Sequence, residues 1–167
     1  MRTSARHHGR SRAVLTLVIG LAALALGTGT TSAPGSEGDF EVEFMSMTVD
    51  HHRSALDMGE QCVAKAARDD LQSLCQGIVA AQQAEIADLQ SKLRKWYGVT
   101  KEPVIHPDQA AVLQRLRALT GRQFDRAISR EFIVHHAMLL PEAERCLRDL
   151  AHHRSLRRMC DEMFDTQ

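Results

Sequence analysis

The chain has few aromatic residues, few prolines and no excess of basic charge, and each shortage excludes a class of protein. It contains one Trp and one Tyr among 167 residues. Four arginines lie in the first twelve residues and no acidic residue precedes Glu37, so the chain beyond residue 33 carries 17 basic and 21 acidic side chains. A nucleic-acid-binding protein needs a basic surface and stacking rings, which excludes that class. Four prolines and few β-branched runs argue against an all-β fold, and 44% hydrophobic residues exclude wholesale disorder.

The motifs of common catalytic sites are also absent from the sequence. It has no HExxH, GxSxG, Walker A or GxGxxG motif, which excludes the usual zinc-protease, α/β-hydrolase and nucleotide-binding sites. Di-iron bundles need Glu-x-x-His pairs, and the chain has none. A haem between His51 and His135 stays geometrically open, although no C-x-x-C-H motif supports it. We therefore expect a protein without catalytic activity.

The first 33 residues have the pattern of a signal peptide. A basic segment precedes an apolar stretch over residues 13–26 and a run of small residues. Pro34 directly after the small residues disfavours cleavage, so an uncleaved membrane anchor is the alternative, although the apolar stretch is short for a span. We predict an exported protein, extracellular or in the cell envelope, which contacts a membrane only if this segment is retained.

The rest of the chain, residues 34–167, repeats itself with a shift of 84 residues. Two His-His pairs and two cysteines fall into register: His51 and His52 on His135 and His136, and Cys62 on Cys146. This register indicates an internal duplication with halves over residues 36–98 and 121–167. The linker over residues 99–120 contains two prolines and a short predicted helix over residues 110–119.

Apolar residues recur at three- and four-residue steps in both halves, which is the period of an amphipathic helix. The first half predicts a helix over residues 36–67 and a second helix that ends at Gly98. The second half predicts a helix over residues 122–151, kinked at Pro141, and a shorter one over residues 155–164. These elements predict an all-α fold, an antiparallel four-helix bundle built from two duplicated helix hairpins.

The four cysteines lie at equal distances from the two predicted turns. In an antiparallel hairpin this places Cys62 opposite Cys75, and Cys146 opposite Cys160. In an exported protein the arrangement favours two disulfides, each closing a loop of about 14 residues. Thiolate ligation of copper or zinc is the alternative, but the chain has no C-x-x-C or C-x-C motif.

The two His-His pairs are candidate metal ligands. Adjacent helical residues point about 100° apart, so His51 and His135 face inward while His52 and His136 flank them. Imidazole binds copper, zinc, nickel or iron, and the thioether of Met selects Cu(I). Three methionines of the first helix are further candidates: Met45, Met47 and Met58.

The second predicted helix places Gln82 and Glu85 on its inward face. A buried carboxylate is costly unless it is paired or bound to metal, so Glu85 is a candidate ligand or a partner that orients His51. The alternatives are a partly exposed Glu85 paired with a basic residue, and histidines that are hydrogen-bonded core residues. The turn histidines, His152 and His153, are expected in solvent.

Several of these segments resemble one known family. They are Phe44-Met45, VDHHRSALDM over residues 49–58, QQAEI over residues 82–86, and Phe124-Asp125 ahead of the second His-His pair. Over residues 36–167 the chain resembles the domain of unknown function 305 (DUF305) family. The resemblance implies a ferritin-like four-helix bundle, usually exported in bacteria, of which some members bind copper through Met and His. The positions that it carries over are His51, His52, Met58, Glu85, His135 and His136.

The second half departs from this family pattern. Glu142 stands at the position that matches Met58, and Thr48 and Phe132 stand where the family commonly has Met ahead of each His-His pair. We therefore predict an extracytoplasmic metal-binding protein, most simply a copper buffer whose first half supplies most ligands. The alternative is a disulfide-stapled interaction module with a degenerate metal site and a protein partner, which can be a second copy of the chain.

Overall fold

The helices follow the predicted order. A computed structural model describes residues 37–166, and the predicted signal peptide lies outside the described residues. Within residues 37–166 every regular element is helical, so the all-α prediction is confirmed. The elements are α1 (Glu37–Lys65), α2 (Asp69–Tyr97), α3 (Pro107–Arg117), α4 (Gly121–Arg145), a π-helical segment (Cys146–Leu150) and α5 (Arg154–Thr166).

Local sequence features explain where α2, the second helix of the first hairpin, begins and ends. Asp69 and Asp70 lie in the first turn of α2, where the helix dipole favours negative charge. The helix ends at Gly98, whose φ of 66° is the left-handed conformation that glycine adopts without steric cost. The N–H of Gly98 bonds the carbonyl of Arg94, as in an αL cap, and the N–H of Val99 bonds the carbonyl of Leu93, so carbonyls of the last turn are satisfied.

The last long helix differs from the prediction. We expected one kinked helix over residues 122–151, but α4 continues through Pro141 to Arg145 before the π-helical segment begins. Proline removes one backbone hydrogen bond, and the fully buried neighbours Leu139 and Ala143 hold this stretch against the core. The π-helical segment begins five residues after the proline.

Helix α1 lies at the centre of the described fold. It contacts α2, α3, α4 and the π-helical segment. It packs closely against α2 at Gly59, where a Cβ atom would lie 2.8 Å from the Val79 Cγ2 atom. Among the described residues, no helix is long and apolar enough to cross a membrane.

The apolar core consists of two clusters with a polar layer between them. One cluster lies around Leu89, Leu93 and the Cys146–Cys160 disulfide, and the other around Phe124, Ile128 and the Cys62–Cys75 disulfide. Along α2 and α4 the residues between the two clusters include buried polar side chains. We call this set the histidine layer: His51, His52, Ser54, Gln82, Glu85, His135 and His136.

Candidate metal centre

The histidine layer brings both predicted His-His pairs together. His51 and His135 stack with their ring centroids 3.8 Å apart and their planes tilted by 31°. His52 lies 5.9 Å from His51, and His136 lies 6.0 Å from His135, by the same measure. His52 is 0% exposed and His135 is 3% exposed. Imidazole rings thus form part of the contact between α1 and α4, between the apolar contacts of the two core clusters.

A closed set of hydrogen bonds fixes the tautomers of the stacked rings. His51 Nε2 donates to the backbone oxygen of His135, 2.9 Å away, so its Nδ1 carries the lone pair. Ser54 Oγ donates to the backbone oxygen of His51 at 2.8 Å and accepts from His135 Nε2 at 3.1 Å. His135 Nδ1 therefore carries a lone pair as well. Both Nδ1 atoms are buried without a hydrogen-bond partner.

Burial keeps these imidazoles neutral. It lowers the pKa of His51 to about 4, and the nearby His52 contributes to the lowering. Burial lowers the pKa of His135 to about 2, with further lowering from His51 and His136. The pKa of His136 is also lowered, first by burial and then by His52. Neutral imidazole is the form that binds metal, so at pH 7 the lone pairs are available.

A second group in the layer lies between α1 and α2. His52 Nε2 is 2.7 Å from Glu85 Oε2, but the two atoms are not aligned for a hydrogen bond. The oxygen of the buried Gln82 amide also has no hydrogen-bond partner, and neither has Nε2 of His136. His136 lines an apolar groove of 560 Å³ between α2 and α4, where Leu74 and Ile133 are also exposed. Glu85 thus contacts His52 rather than His51.

The structure separates the three candidate methionines. Met58 is fully buried and lines a cavity that also contains His135. Met45 is fully buried in the other core cluster, and Met47 packs against that cluster beside Phe40 and Phe44. Within residues 37–166, no three His, Cys, Asp or Glu side chains converge closely enough to hold a metal ion. Met58 is therefore the candidate thioether nearest to the second-half histidines.

The cysteines form the two disulfides that the hairpin spacing predicts. Cys62 is bonded to Cys75, and Cys146 is bonded to Cys160. All four cysteines of the chain lie in the described part, and none of them is free. Oxidised sulfur is a poor metal ligand, so in this state the thiolate alternative has no ligands.

Sequence reasoning missed two side chains that adjoin the histidines. Ser54 hydrogen-bonds the backbone of His51 on α1 and the ring of His135 on α4. It follows His51 by three residues, about one helical turn. Met138 follows His135 by the same spacing and lines the cavity of Met58. The one-turn spacing was visible in the sequence, but it does not show which face of the helix meets a partner.

The expectation for the turn histidines is wrong for His153. Its ring stacks on Trp96 with centroids 3.9 Å apart, its backbone N–H donates to Glu41 Oε1 at 2.7 Å, and its Nδ1 lies 2.6 Å from Glu41 Oε2. Tyr97 Oη donates to the same carboxylate, which is fully buried. We call Glu41, Trp96, Tyr97 and His153 the Glu41 cluster. His152 is exposed, as predicted.

Comparison with known proteins places this geometry in a family. The DUF305 family, a domain of unknown function, matches residues 41–167. The chain belongs to the DUF305 family. This confirms the resemblance stated from the sequence and assigns no function. A comparison with curated proteins finds no match.

Solved structures share the fold of this DUF305 protein. CopM in its Cu(II)-bound form is 23% identical, with a TM-score of 0.67 over 75% of this chain and 86% of that chain. CopM in its Cu(I)-bound form is also 23% identical, with a TM-score of 0.66 over the same shares. A DUF305 protein from Streptomyces coelicolor, described as secreted by inference, is 18% identical, with a TM-score of 0.64 over 78% of this chain and 83% of that chain. At these identities the likeness shows the fold alone.

Proposed function

We propose that this protein is an exported copper-binding protein that buffers the ion or hands it on without catalysing a reaction. In this proposal copper is the ion that the protein carries, and the ferritin-like four-helix bundle implied by the family resemblance holds it. The structural likeness to CopM, which is described in Cu(I)-bound and Cu(II)-bound forms, supports a metal-handling role. The signal-like N-terminal segment supports a site outside the cytoplasm.

One observation carries the proposal: two stacked neutral imidazoles with unpartnered Nδ1 atoms in the protein interior. A buried polar atom without a partner costs about 1–3 kcal/mol, so an apolar pair would suit a purely structural core better. Bound metal would satisfy both lone pairs. The nearby thioether of Met58 favours Cu(I) over zinc, because soft sulfur ligands select Cu(I).

The other candidates of the histidine layer have a supporting part in this proposal. His52, Glu85 and His136 offer nitrogen and carboxylate atoms on the α2 side of the layer, which suits Cu(II) better than Cu(I). Met45 and Met47 lie one to two turns before His51 and extend the thioether set toward the other core cluster.

A second candidate function is a helical interaction module whose metal site has degenerated. The open groove between α2 and α4 favours it, because Leu74 and Ile133 are 59% and 71% exposed there. Contiguous exposed apolar surface often marks a protein interface. This reading needs no metal.

Metal retention separates the two functions. The purified protein is incubated separately with Cu(I), Cu(II) and Zn(II), desalted, and assayed for metal per chain alongside a free-thiol count. We expect about one Cu(I) per chain with no free thiols, and loss of retention in the double variant His51→Ala with His52→Ala at unchanged helicity. Retention only after reduction would assign the metal to the cysteines. No retention of any ion would favour the interaction module.

A further inference from the structure

A cavity of 180 Å³ on α4 has the side chains of a soft-metal site. Its lining includes two thioethers, Met58 and Met138, and the imidazole of His135. His135 Nδ1 is buried and unpartnered, while Nε2 of the same ring bonds Ser54 Oγ. Two thioethers and one imidazole nitrogen are ligands that suit Cu(I). Three candidate ligands therefore border one cavity.

The three candidate ligands differ sharply in exposure. Met138 is 53% exposed, whereas Met58 is 1% exposed and His135 is 3% exposed. Met138 lies one helical turn after His135, so the two side chains share a face of α4. The cavity thus connects a thioether in solvent with a thioether and an imidazole in the interior.

The charge around this cavity favours a cation. Asp108 from α3 and Glu131 from α4 also line it, and the lining given by the described residues includes no Lys or Arg, although Arg115 from outside the lining lies 3.5 Å from the Glu131 carboxylate. Another cavity on α4, of 360 Å³, is lined instead by Arg68, Arg122 and two further arginines. Fields of opposite sign on one helix would direct a cation to the methionine cavity.

Met138 also lies close to the position where the second half of the repeat lacks a methionine. The second half carries Glu142 at the position that matches Met58 of the first half. Met138 lies one turn earlier on α4 and lines the cavity from that side. It lies outside the positions that the DUF305 resemblance carries over.

We propose that Met138, Met58 and His135 form the entry site at which Cu(I) is captured. The exposed Met138 thioether takes the ion first, and Met58 with His135 Nδ1 holds it beside His51. This inference rests on the proposed copper-binding function and assigns the route and the oxidation state of the ion. Capture changes only the ligands of the ion, so no electron is transferred.

The test compares Met138→Leu with Met159→Leu in the full-length protein. Leucine keeps the apolar volume of methionine and removes the sulfur, and Met159 is a core residue that does not line the cavity. Cu(I) is supplied from a colorimetric Cu(I) chelator, and both the transfer rate and the competition affinity are measured. Cu(II) binding and the circular dichroism spectrum are recorded for each variant.

We expect Met138→Leu to weaken Cu(I) binding and slow its uptake by at least about tenfold, since even an outer partner of a metal ligand is worth that much. Its Cu(II) affinity and fold should stay as in the wild type, and Met159→Leu should match the wild type throughout. X-ray absorption of the Cu(I) form should show one sulfur ligand fewer in Met138→Leu.

Two outcomes would overturn the entry site in distinguishable ways. If the wild type retains Cu(I) and Met138→Leu acquires it at the same rate, affinity and sulfur coordination, the entry site is wrong while copper binding stands. If the wild type retains neither Cu(I) nor Cu(II), the proposed function and the entry site fail together.

Discussion

The fold contains two buried polar clusters that are satisfied in opposite ways. In the Glu41 cluster both carboxylate oxygens are hydrogen-bonded, by Tyr97 and by the backbone and ring of His153. In the histidine layer, buried nitrogens on all four histidines lack a hydrogen-bond partner. Both clusters lie against the same helix, α1, so the helical environment does not explain the difference.

Under the proposed function, this difference separates a structural polar cluster from one that binds metal. The Glu41 cluster fixes the turn before α5 against α1 and the end of α2, and none of its buried side-chain polar atoms lacks a hydrogen-bond partner. The histidine layer uses one nitrogen of each stacked ring to join α1 to α4 and leaves the other free. Buried polar atoms are rarely left unpaired, so the free nitrogens support the proposed copper site.

The largest stability effect should come from the saturated cluster. Glu41→Gln replaces a carboxylate that accepts from three donors with an amide whose NH₂ faces one of them. We expect a loss of about 2–3 kcal/mol in the free energy of unfolding, because a buried donor is left unpaired. Urea denaturation measures it. Copper retention should not change, and a variant of wild-type stability would show that the cluster is not structural.

The Glu41 cluster should also make the fold sensitive to acid. Burial by itself raises the pKa of Glu41, but the hydrogen bonds from Tyr97 and His153 outweigh it and lower the pKa below its ordinary value of 4.5. The stabilisation is therefore complete above the unfolded pKa and is lost as the pH falls through the lower folded pKa.

Urea denaturation between pH 7 and pH 3 tests this acid sensitivity. The stability difference between wild type and Glu41→Gln should be constant near neutral pH and shrink below about pH 4.5, where the unfolded carboxyl begins to take up protons. A difference that stays constant down to pH 3 would contradict the lowered pKa of Glu41.

Substitution of Ser54 should affect the proposed copper site more than the stability of the fold. Ser54→Ala removes the acceptor of His135 Nε2 and frees that ring to adopt the other tautomer. We expect a loss of about 1 kcal/mol in stability, and roughly tenfold or more in Cu(I) affinity. Ser73→Ala is a matched control, because Ser73 is exposed and bonds only the backbone of its own helix. Equal copper affinity in both variants would exclude a positioning role for Ser54.

Helical periodicity predicted the elements, and the register of the repeat predicted which histidines meet. The rings at positions 51 and 135 stack and the two disulfides form, as expected if two equivalent hairpins bury equivalent faces. The Glu41–His153 contact spans 112 positions and breaks the repeat, so no local pattern carried it. The partner of Glu85 depended on helix rotation: a small turn of α2 decides between His51 and His52, which periodicity does not resolve.

The smallest stability effect should come from removing the stacked rings. In the double variant His51→Leu with His135→Leu, two cross-helix hydrogen bonds disappear together with two buried unpartnered nitrogens. Replacing a partly unsatisfied buried polar pair with apolar groups is nearly neutral or stabilising, so we expect a change within about 1 kcal/mol. Copper retention should be lost in the same variant, and thermal denaturation with metal analysis on one sample measures both. A large destabilisation would mean that the histidines are structural, as Glu41 is. Lost copper at unchanged stability would mean that these rings are present for the ion, because the fold does not need them.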